Sequence, residues 1–195
     1  MNIISQNNLI VTNNNVTKKF QKDVRNTINE CQEIAHNNNK WKYIHLNPTT
    51  PVIKVHIVDK PIRPIVNWRN VPACKLAKMF SEKMKTYIHL PYVFNVRNTT
   101  TLIEDFTNIP FDQNLKIASF DTDNMNSNVP IDELLNIINI ICDKYIMEDK
   151  LKQEVIKVSK LLTDQNYFIF QNGVHLQKEG FTMGAPTSSN FSEIY

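Results

Sequence analysis

Apolar residues recur every three or four positions in several stretches of the chain, and this spacing predicts helices with one buried face. The predicted helices span residues 17–36, 73–86, 100–108, 130–145 and 151–162. Pro72 and Pro130 stand where two of them begin, a position that proline favours. The Asn-rich opening, residues 1–16, shows no such spacing, and we expect it to lack regular structure.

Shorter runs rich in β-branched and aromatic residues predict strands. Residues 52–58 and 64–68 form two such runs, separated by a turn at Asp59-Lys60-Pro61. Residues 114–121 form an apolar run that we expect to be a buried strand. Two further runs flank Asn172-Gly173, a strong signal for a β-hairpin. Together the helices and strands predict an α+β fold.

Charge is divided unevenly between the two halves of the chain. Residues 1–100 carry 15 Lys and Arg against 5 Asp and Glu, whereas residues 101–195 carry 7 against 14. This asymmetry indicates that the first half meets a polyanion while the second half holds cations or pairs internally. The alternative, that the halves dock on each other through complementary surfaces, fits the charges equally well.

The remaining composition mainly excludes classes of protein. The chain has no run of 18 apolar residues, so we expect no contact with a membrane through a spanning helix. Cys31, Cys74 and Cys142 are scattered without the spacing of a metal site. We expect each of them to pack as a small apolar side chain.

Asp121 is the first candidate functional residue, because it ends the predicted buried strand. A carboxylate at a strand end, followed by polar residues and a helix, can hold Mg²⁺ together with phosphate oxygens. The alternative is an ordinary turn former or helix cap.

Lys54 and Arg63 are the second candidates, since both lie in the predicted hairpin at 52–68. Two cations that project from one hairpin suit a triphosphate, Lys as a mobile charge and Arg as a fork. The alternative is that both are ordinary solvated side chains.

The segment QKEGFTMGAPTSS, residues 177–189, is the third candidate. It holds two of the three glycines of the chain, Gly180 and Gly184. Glycine permits positive φ and close approach of the backbone to a ligand. Ser188, Ser189 or Asn190 is expected to cap the helix that follows. The alternative is a plain turn between a hairpin and a helix.

These three stretches occur in an order that resembles the reverse transcriptases of Penelope-like retroelements. PVIKVHIVDKPIRPIV is similar to the fingers hairpin of that family, and SFDTDNMNSNVPIDELL to its palm strand and helix with the first metal-binding aspartate. NYFIFQNGVHLQKEGFTMGAPTSSNFSEIY resembles the next palm segment. The resemblance extends from about residue 48 to residue 195.

The resemblance implies RNA-directed DNA synthesis on an RNA template and a DNA primer, with deoxynucleoside triphosphates as substrates and Mg²⁺ as cofactor. Asp121 is then the first of the carboxylates that hold two Mg²⁺ ions. Lys54 and Arg63 would neutralise the triphosphate. The residues implied to line the floor under template and nucleotide are Gln177, Gly180, Met183 and Gly184.

The resemblance also divides the chain into an N-terminal helical extension (1–47), a fingers-like region (48–113) and an incomplete palm (114–195). The sequence contains no Asp-Asp pair and stops before the strands that carry Tyr-x-Asp-Asp in the family. We therefore expect this chain to be inactive alone.

Two positions depart from the family. Asn126 stands where the family has Phe or Tyr under the sugar, and Ser192 stands where it has Ala. A nucleic-acid-binding remnant without chemistry is the alternative interpretation, and an active element of this kind implies a nuclear location.

Overall fold

The structure, a computed structural model, describes residues 9–12, 16–34, 43, 52–54, 65–88, 98–110, 114, 116, 118–120, 122, 125–170 and 172–195. Its helices are α1 (Thr17–Glu30), α2 (Cys74–Tyr87), α3 (Thr99–Thr107), α4 (Met125–Asn128), α5 (Ile131–Tyr145), α6 (Asp149–Asp164) and α7 (Ser188–Ile194). Its strands are β1 (Leu9–Thr12), β2 (Val52–Lys54), β3 (Ile65–Asn67), β4 (Tyr167–Phe170) and β5 (Gly173–Gln177). The chain is α+β, mostly helical with a small sheet, as predicted.

The five strands form one sheet in the order β1-β5-β4-β2-β3. Neighbouring strands are antiparallel, except that β2 runs parallel to β4 with Val52 opposite Ile169. This single parallel pair joins two hairpins that lie more than 100 residues apart in the chain. The sheet therefore brings the predicted fingers hairpin next to the hairpin at 167–177.

The hairpin predicted around Asn172-Gly173 is confirmed. The two strands pair antiparallel from Tyr167 opposite Leu176 to Phe170 opposite Gly173. Asn172 has φ 62°, the left-handed conformation that such tight turns demand and that Asn tolerates better than most residues.

The opening of the chain is more ordered than we expected. β1 lies within the Asn-rich stretch and pairs along its whole length with β5, from Leu9 opposite Gln177 to Thr12 opposite Val174. The prediction of an irregular opening was wrong at these residues. An edge strand is stabilised by hydrogen bonds to its neighbouring strand, and the apolar pattern of its own sequence need not indicate them.

The strand predicted at 114–121 is absent at every position that the structure describes. Ala118, Ser119 and Phe120 are exposed and belong to no strand, and the Phe120 side chain is 94% exposed. An apolar run is buried as a strand only where neighbouring strands pair with it, and the five-stranded sheet does not include this segment.

The helices predicted from apolar spacing are confirmed to within a few residues, except that α1 ends early. The chain leaves the helix at Cys31, and the backbone N–H groups of the turn that follows are bound by one carboxylate. Glu154 of α6, only 4% exposed, accepts from Gln32 N at 2.6 Å and from Glu33 N and Ile34 N at 2.8 Å. These charge-assisted bonds give the turn the partners that a longer helix would have given it.

The core is formed by side chains of α1, α2, α5, α6 and α7 and of strands β3 and β4. Its largest fully buried side chains include Tyr167, Phe80, Phe168, Phe191, Ile28, Leu76, Leu134 and Ile138. The three cysteines are also buried, as expected, and none forms a disulfide. Of the helices that the structure describes, none is long and apolar enough to cross a membrane.

The chain divides into two compact units, one formed by Met1–His89 with Asn124–Tyr195 and the other by Leu90–Asp123. The first contains the sheet and most of the helices. The second contains α3, which has no buried residue. The predicted boundaries at residues 47 and 113 stay predictions.

Candidate functional site

The loop between β5 and α7 is shaped by its two glycines. Gly180 has φ 66° and Gly184 has φ 100°, conformations that other residues rarely adopt. At Gly180 a Cβ atom would overlap the Asn126 carbonyl oxygen, which accepts a 2.7 Å hydrogen bond from Phe181 N. At Gly184 a Cβ atom would overlap the Val66 carbonyl oxygen. Both glycines are therefore required by close backbone packing.

This loop is attached to β3. Val66 N donates to the Met183 carbonyl at 2.8 Å, and Ile65 and Met183 form a parallel bridge. The Trp68 indole N–H donates to Thr182 Oγ1 at 2.8 Å. Since Val66 and Met183 are 117 positions apart, the predicted hairpin and the glycine segment meet only through the fold.

A groove of about 650 Å³ opens where β3 meets the loop. Its lining is formed by β3, the turn after it, the first turns of α2, and the loop: Ile65, Val66, Asn67, Trp68, Arg69, Asn70, Cys74, Lys75, Lys78, Gly184 and Pro186. We call it the basic groove, because Arg69, Lys75 and Lys78 line it and the described lining includes no carboxylate. All three cations are exposed.

Two of these cations stand at an electrostatically unusual place. Lys75 is the second residue of α2 and Lys78 follows one turn later, whereas the first turn holds no acidic residue. The N-terminus of a helix carries a partial positive charge, which repels nearby cationic side chains. A bound anion would offset this repulsion. The groove thus combines side-chain and backbone positive charge, which favours a bound anion.

Cys74, at the base of the groove, is not a reactive thiol. Burial raises its pKa above 9.0, and the nearby charges of Lys78 and Lys75 only partly oppose this. A thiol that stays protonated is a poor nucleophile.

Four of the predicted site residues are fully described, and they fall in three places. Met183 and Gly184 lie against β3, and Gly184 lines the basic groove. Gln177 lines a different cavity, and its side-chain N–H donates to the Glu179 carbonyl at 2.7 Å. Gly180 is buried against Asn126, between these two places.

The other three are described in part or not at all. Lys54 is the last residue of β2 and pairs with Ile65, the residue that bridges to Met183. Only strand β3 therefore lies between the Lys54 backbone and the loop. The Lys54 side chain lies outside the described residues. Arg63 and Asp121 also lie outside them, and their roles stay predictions.

Asn126 and Ser192 stood out in the sequence only as departures from a family. In the structure their side chains form a hydrogen bond with each other. Ser192 Oγ of α7 donates to Asn126 Oδ1 of α4 at 2.8 Å. Arg69, Lys75 and Lys78 were not among the site residues predicted from the sequence. A signal was present, because Lys75 and Lys78 follow Pro72, where a helix begins and anionic side chains are usual.

The described residues do not supply a metal site. Among them no group of three or more His, Cys, Asp or Glu side chains could hold a metal ion. The expectation of Mg²⁺ therefore rests on Asp121 and on residues beyond the described set.

No protein-family model matches the chain, and no curated protein matches it significantly in sequence. Function must therefore be argued from the residues and the geometry.

Proposed function

We propose that this chain is part of an RNA-directed DNA polymerase, a reverse transcriptase like those of Penelope-like retroelements, with a fingers region that includes β2 and β3 and part of a palm. Its partners are then an RNA template, a DNA primer and deoxynucleoside triphosphates. The observation that carries the proposal is the attachment of Met183 and Gly184 to β3 beside three cations.

The groove suits a nucleic-acid backbone. Arg69, Lys75 and Lys78 can neutralise successive phosphates, and each such contact releases counterions and strengthens binding at low salt. Gly184, which lines the groove, lets the loop pack directly on the Val66 carbonyl of β3, so the backbone of this loop forms part of the groove. Trp68, in the wall, is held by Thr182 and only 4% exposed, so it serves the shape of the groove rather than stacking on a base.

Nucleotidyl transfer with Mg²⁺ is the further part of the proposal. In two-metal catalysis the ions activate the attacking hydroxyl and stabilise the leaving group. Asp121 would be one ligand, and the sequence holds no Asp-Asp pair that could complete the site.

The Asn126–Ser192 pair bears on sugar selection within the proposal. The resemblance places an aromatic residue at position 126, where it would lie under the sugar. In this chain the side-chain amide of Asn126 accepts a 2.8 Å hydrogen bond from Ser192, so a small polar group occupies the position. We expect weaker exclusion of a 2′-hydroxyl than an aromatic ring provides.

The binding part of the proposal is tested with a labelled RNA template–DNA primer duplex. The double variant Lys75→Gln/Lys78→Gln is expected to bind the duplex about five- to thirtyfold more weakly, because two phosphate contacts are lost. The matched control, Lys22→Gln/Lys85→Gln, removes two exposed cations of α1 and α2 that do not line the groove. Equal losses in the two variants would show diffuse attraction and contradict the proposal.

A nucleic-acid-binding chain without chemistry is the second candidate, favoured by the absence of a metal site among the described residues. Primer extension by the purified chain with Mg²⁺ or Mn²⁺ can decide only in favour of the polymerase, because one of its outcomes is common to both candidates. Binding without extension is expected of this chain alone under both. Extension that is lost in Asp121→Asn would decide for the polymerase and against the second candidate.

A further inference from the structure

A second cavity of about 610 Å³ lies at the other end of the glycine loop. Its wall is formed by residues of three segments: 128–132, which leads into α5, 163–166 at the end of α6, and 176–179 at the end of β5. We call it the acidic cavity. Its size is within the range of small-molecule sites in proteins, about 300–1,000 Å³.

The charge of its lining is opposite to that of the basic groove. The lining contains three acidic residues, Asp132, Asp164 and Glu179, and one basic residue, Lys178, so its formal charge is −2. Burial raises the pKa of the Asp164 carboxyl above 3.8; Lys160 opposes this, Asp23 adds to it, and Lys19 opposes it. A partly desolvated carboxylate is stabilised by a cation, so the cavity favours a positively charged ligand.

The wall of the cavity also contains a buried hydrogen-bond acceptor that has no donor. The Asn166 side chain is 5% exposed, and its Nδ2 donates to the Gly180 carbonyl at 2.7 Å. A carbonyl only accepts, so this bond fixes which end of the amide is Oδ1. Within the part of the chain that the structure describes, Asn166 Oδ1 is buried with no hydrogen-bond partner. An unmet buried acceptor is costly, and one N–H from a ligand would relieve that cost.

The three acids of the cavity are not grouped as the ligands of a single metal ion would be. Asp132, Asp164 and Glu179 are all described, yet they do not form a group that could hold one metal ion. Pro130, Ile131 and Leu176 line the same cavity. The cavity therefore offers carboxylates that do not converge on one point together with apolar surface, which suits ammonium groups joined by methylenes.

We propose that the acidic cavity binds a linear polyamine, with its ammonium groups on Asp132 and Asp164, one N–H toward Asn166 Oδ1, and its methylenes against Pro130, Ile131 and Leu176. The site does not depend on the proposed polymerase function, since its ligand and residues differ from those of the basic groove. A polyamine is chosen over a basic peptide because the cavity has the size of a small-molecule site.

Calorimetric titration of the full chain with spermidine tests this. Hexaamminecobalt(III) is the comparison ligand, because it carries the same charge without methylenes. Spermidine is expected to bind at one site about tenfold or more tightly than the cobalt complex, since two buried methylenes account for that factor. In amide NMR spectra spermidine is expected to shift the Asn166 side-chain signals.

The variant Asp132→Asn/Asp164→Asn is expected to weaken spermidine binding about tenfold or more, because two charge-assisted contacts are lost. The matched control, Asp105→Asn/Asp143→Asn, changes net charge equally at exposed residues that do not line the cavity. Circular dichroism checks that both variants fold. Equal affinity for the two ligands, or equal losses in the two variants, would overturn the proposal.

Discussion

The basic groove and the acidic cavity lie at opposite ends of one loop, and they differ in sign of charge and in origin. The cations of the groove, Arg69, Lys75 and Lys78, all come from the first half of the chain. The carboxylates of the cavity, Asp132, Asp164 and Glu179, all come from the second half. The charge asymmetry of the sequence is thus expressed as two separate sites in one folded unit.

This comparison bears on the two interpretations of the charge asymmetry. Docking of the halves predicts cations of the first half on acids of the second. The ion pairs Lys150–Glu33 and Lys157–Glu30 join the halves in the opposite sense, with cations from the second half. They are exposed pairs that contribute little stability. Lys19 of the first half, however, lies near Asp164 of the second, so both interpretations of the asymmetry stay predictions.

The largest expected effect comes from the loop that separates the two sites. Gly184→Ala is expected to lower the free energy of unfolding by about 2–4 kcal/mol, because it combines a positive φ with overlap of the Val66 carbonyl. The groove should lose its floor while the acidic cavity keeps its ligand. Chemical denaturation and the two binding assays check this.

Gly173→Ala is the matched control, since Gly173 has an ordinary backbone and its Cβ would come no closer than 3.2 Å to a neighbour, His175 Nε2. Its effect should be about 1 kcal/mol or less. If Gly184→Ala is no worse than this control, the close packing of the loop on β3 does not exist.

A smaller effect is expected where α7 contacts α4. Asn126→Ala and Ser192→Ala should each destabilise the chain, and a double-mutant cycle should give a coupling energy of about 0.5–1.5 kcal/mol for their hydrogen bond. Thermal denaturation of the four proteins measures it. Additive effects would mean that the two side chains do not interact.

The smallest effect distinguishes the sites by pH. Because the pKa of Asp164 is raised above 3.8, this carboxyl takes up a proton earlier than an exposed Asp as the pH falls. As the solution is acidified, spermidine affinity should therefore begin to fall at a higher pH than exposed carboxyls alone would cause, and Asp164→Asn should remove that shift. The described lining of the basic groove contains no carboxylate, so binding there should lack this dependence.

The groups that face Asp164 are its neighbours in charge, Lys160, Asp23 and Lys19, and the cavity residues Asp132, Lys178 and Glu179. A pH dependence that persists in Asp164→Asn would belong to one of the other carboxyls.

The elements that the sequence predicted well are those set by local pattern. α5 and α6 follow from apolar residues at helical spacing, and the β4–β5 hairpin follows from Asn172-Gly173. The elements that it missed depend on distant partners. β1 owes its strand to β5, and α1 ends where Glu154, more than 120 positions away, binds the following turn. No local pattern contains that information.

The candidate site shows the same division. The two glycines were predicted to permit positive φ and close approach of the backbone to a ligand. The positive φ is confirmed, but what each glycine meets in the structure is the backbone of the chain itself, at Asn126 and at Val66. The separation of Gln177 from Gly184 into different cavities could not be predicted, because it depends on α5 and α6 closing around the end of β5. The helix cap was assigned to Ser188, Ser189 or Asn190, yet the N-cap of α7 is Thr187 without a side-chain cap bond. Ser188 Oγ instead donates to the Thr182 carbonyl at 2.8 Å.

The salt dependence of template–primer binding tests most directly whether the basic groove holds a nucleic-acid backbone. The slope of log affinity against log salt should become shallower by about two in Lys75→Gln/Lys78→Gln, since each lost phosphate contact removes about 0.9 from it. It should stay unchanged in Lys22→Gln/Lys85→Gln. An unchanged slope in the groove variant, or equal changes in both, would contradict the assignment of the groove.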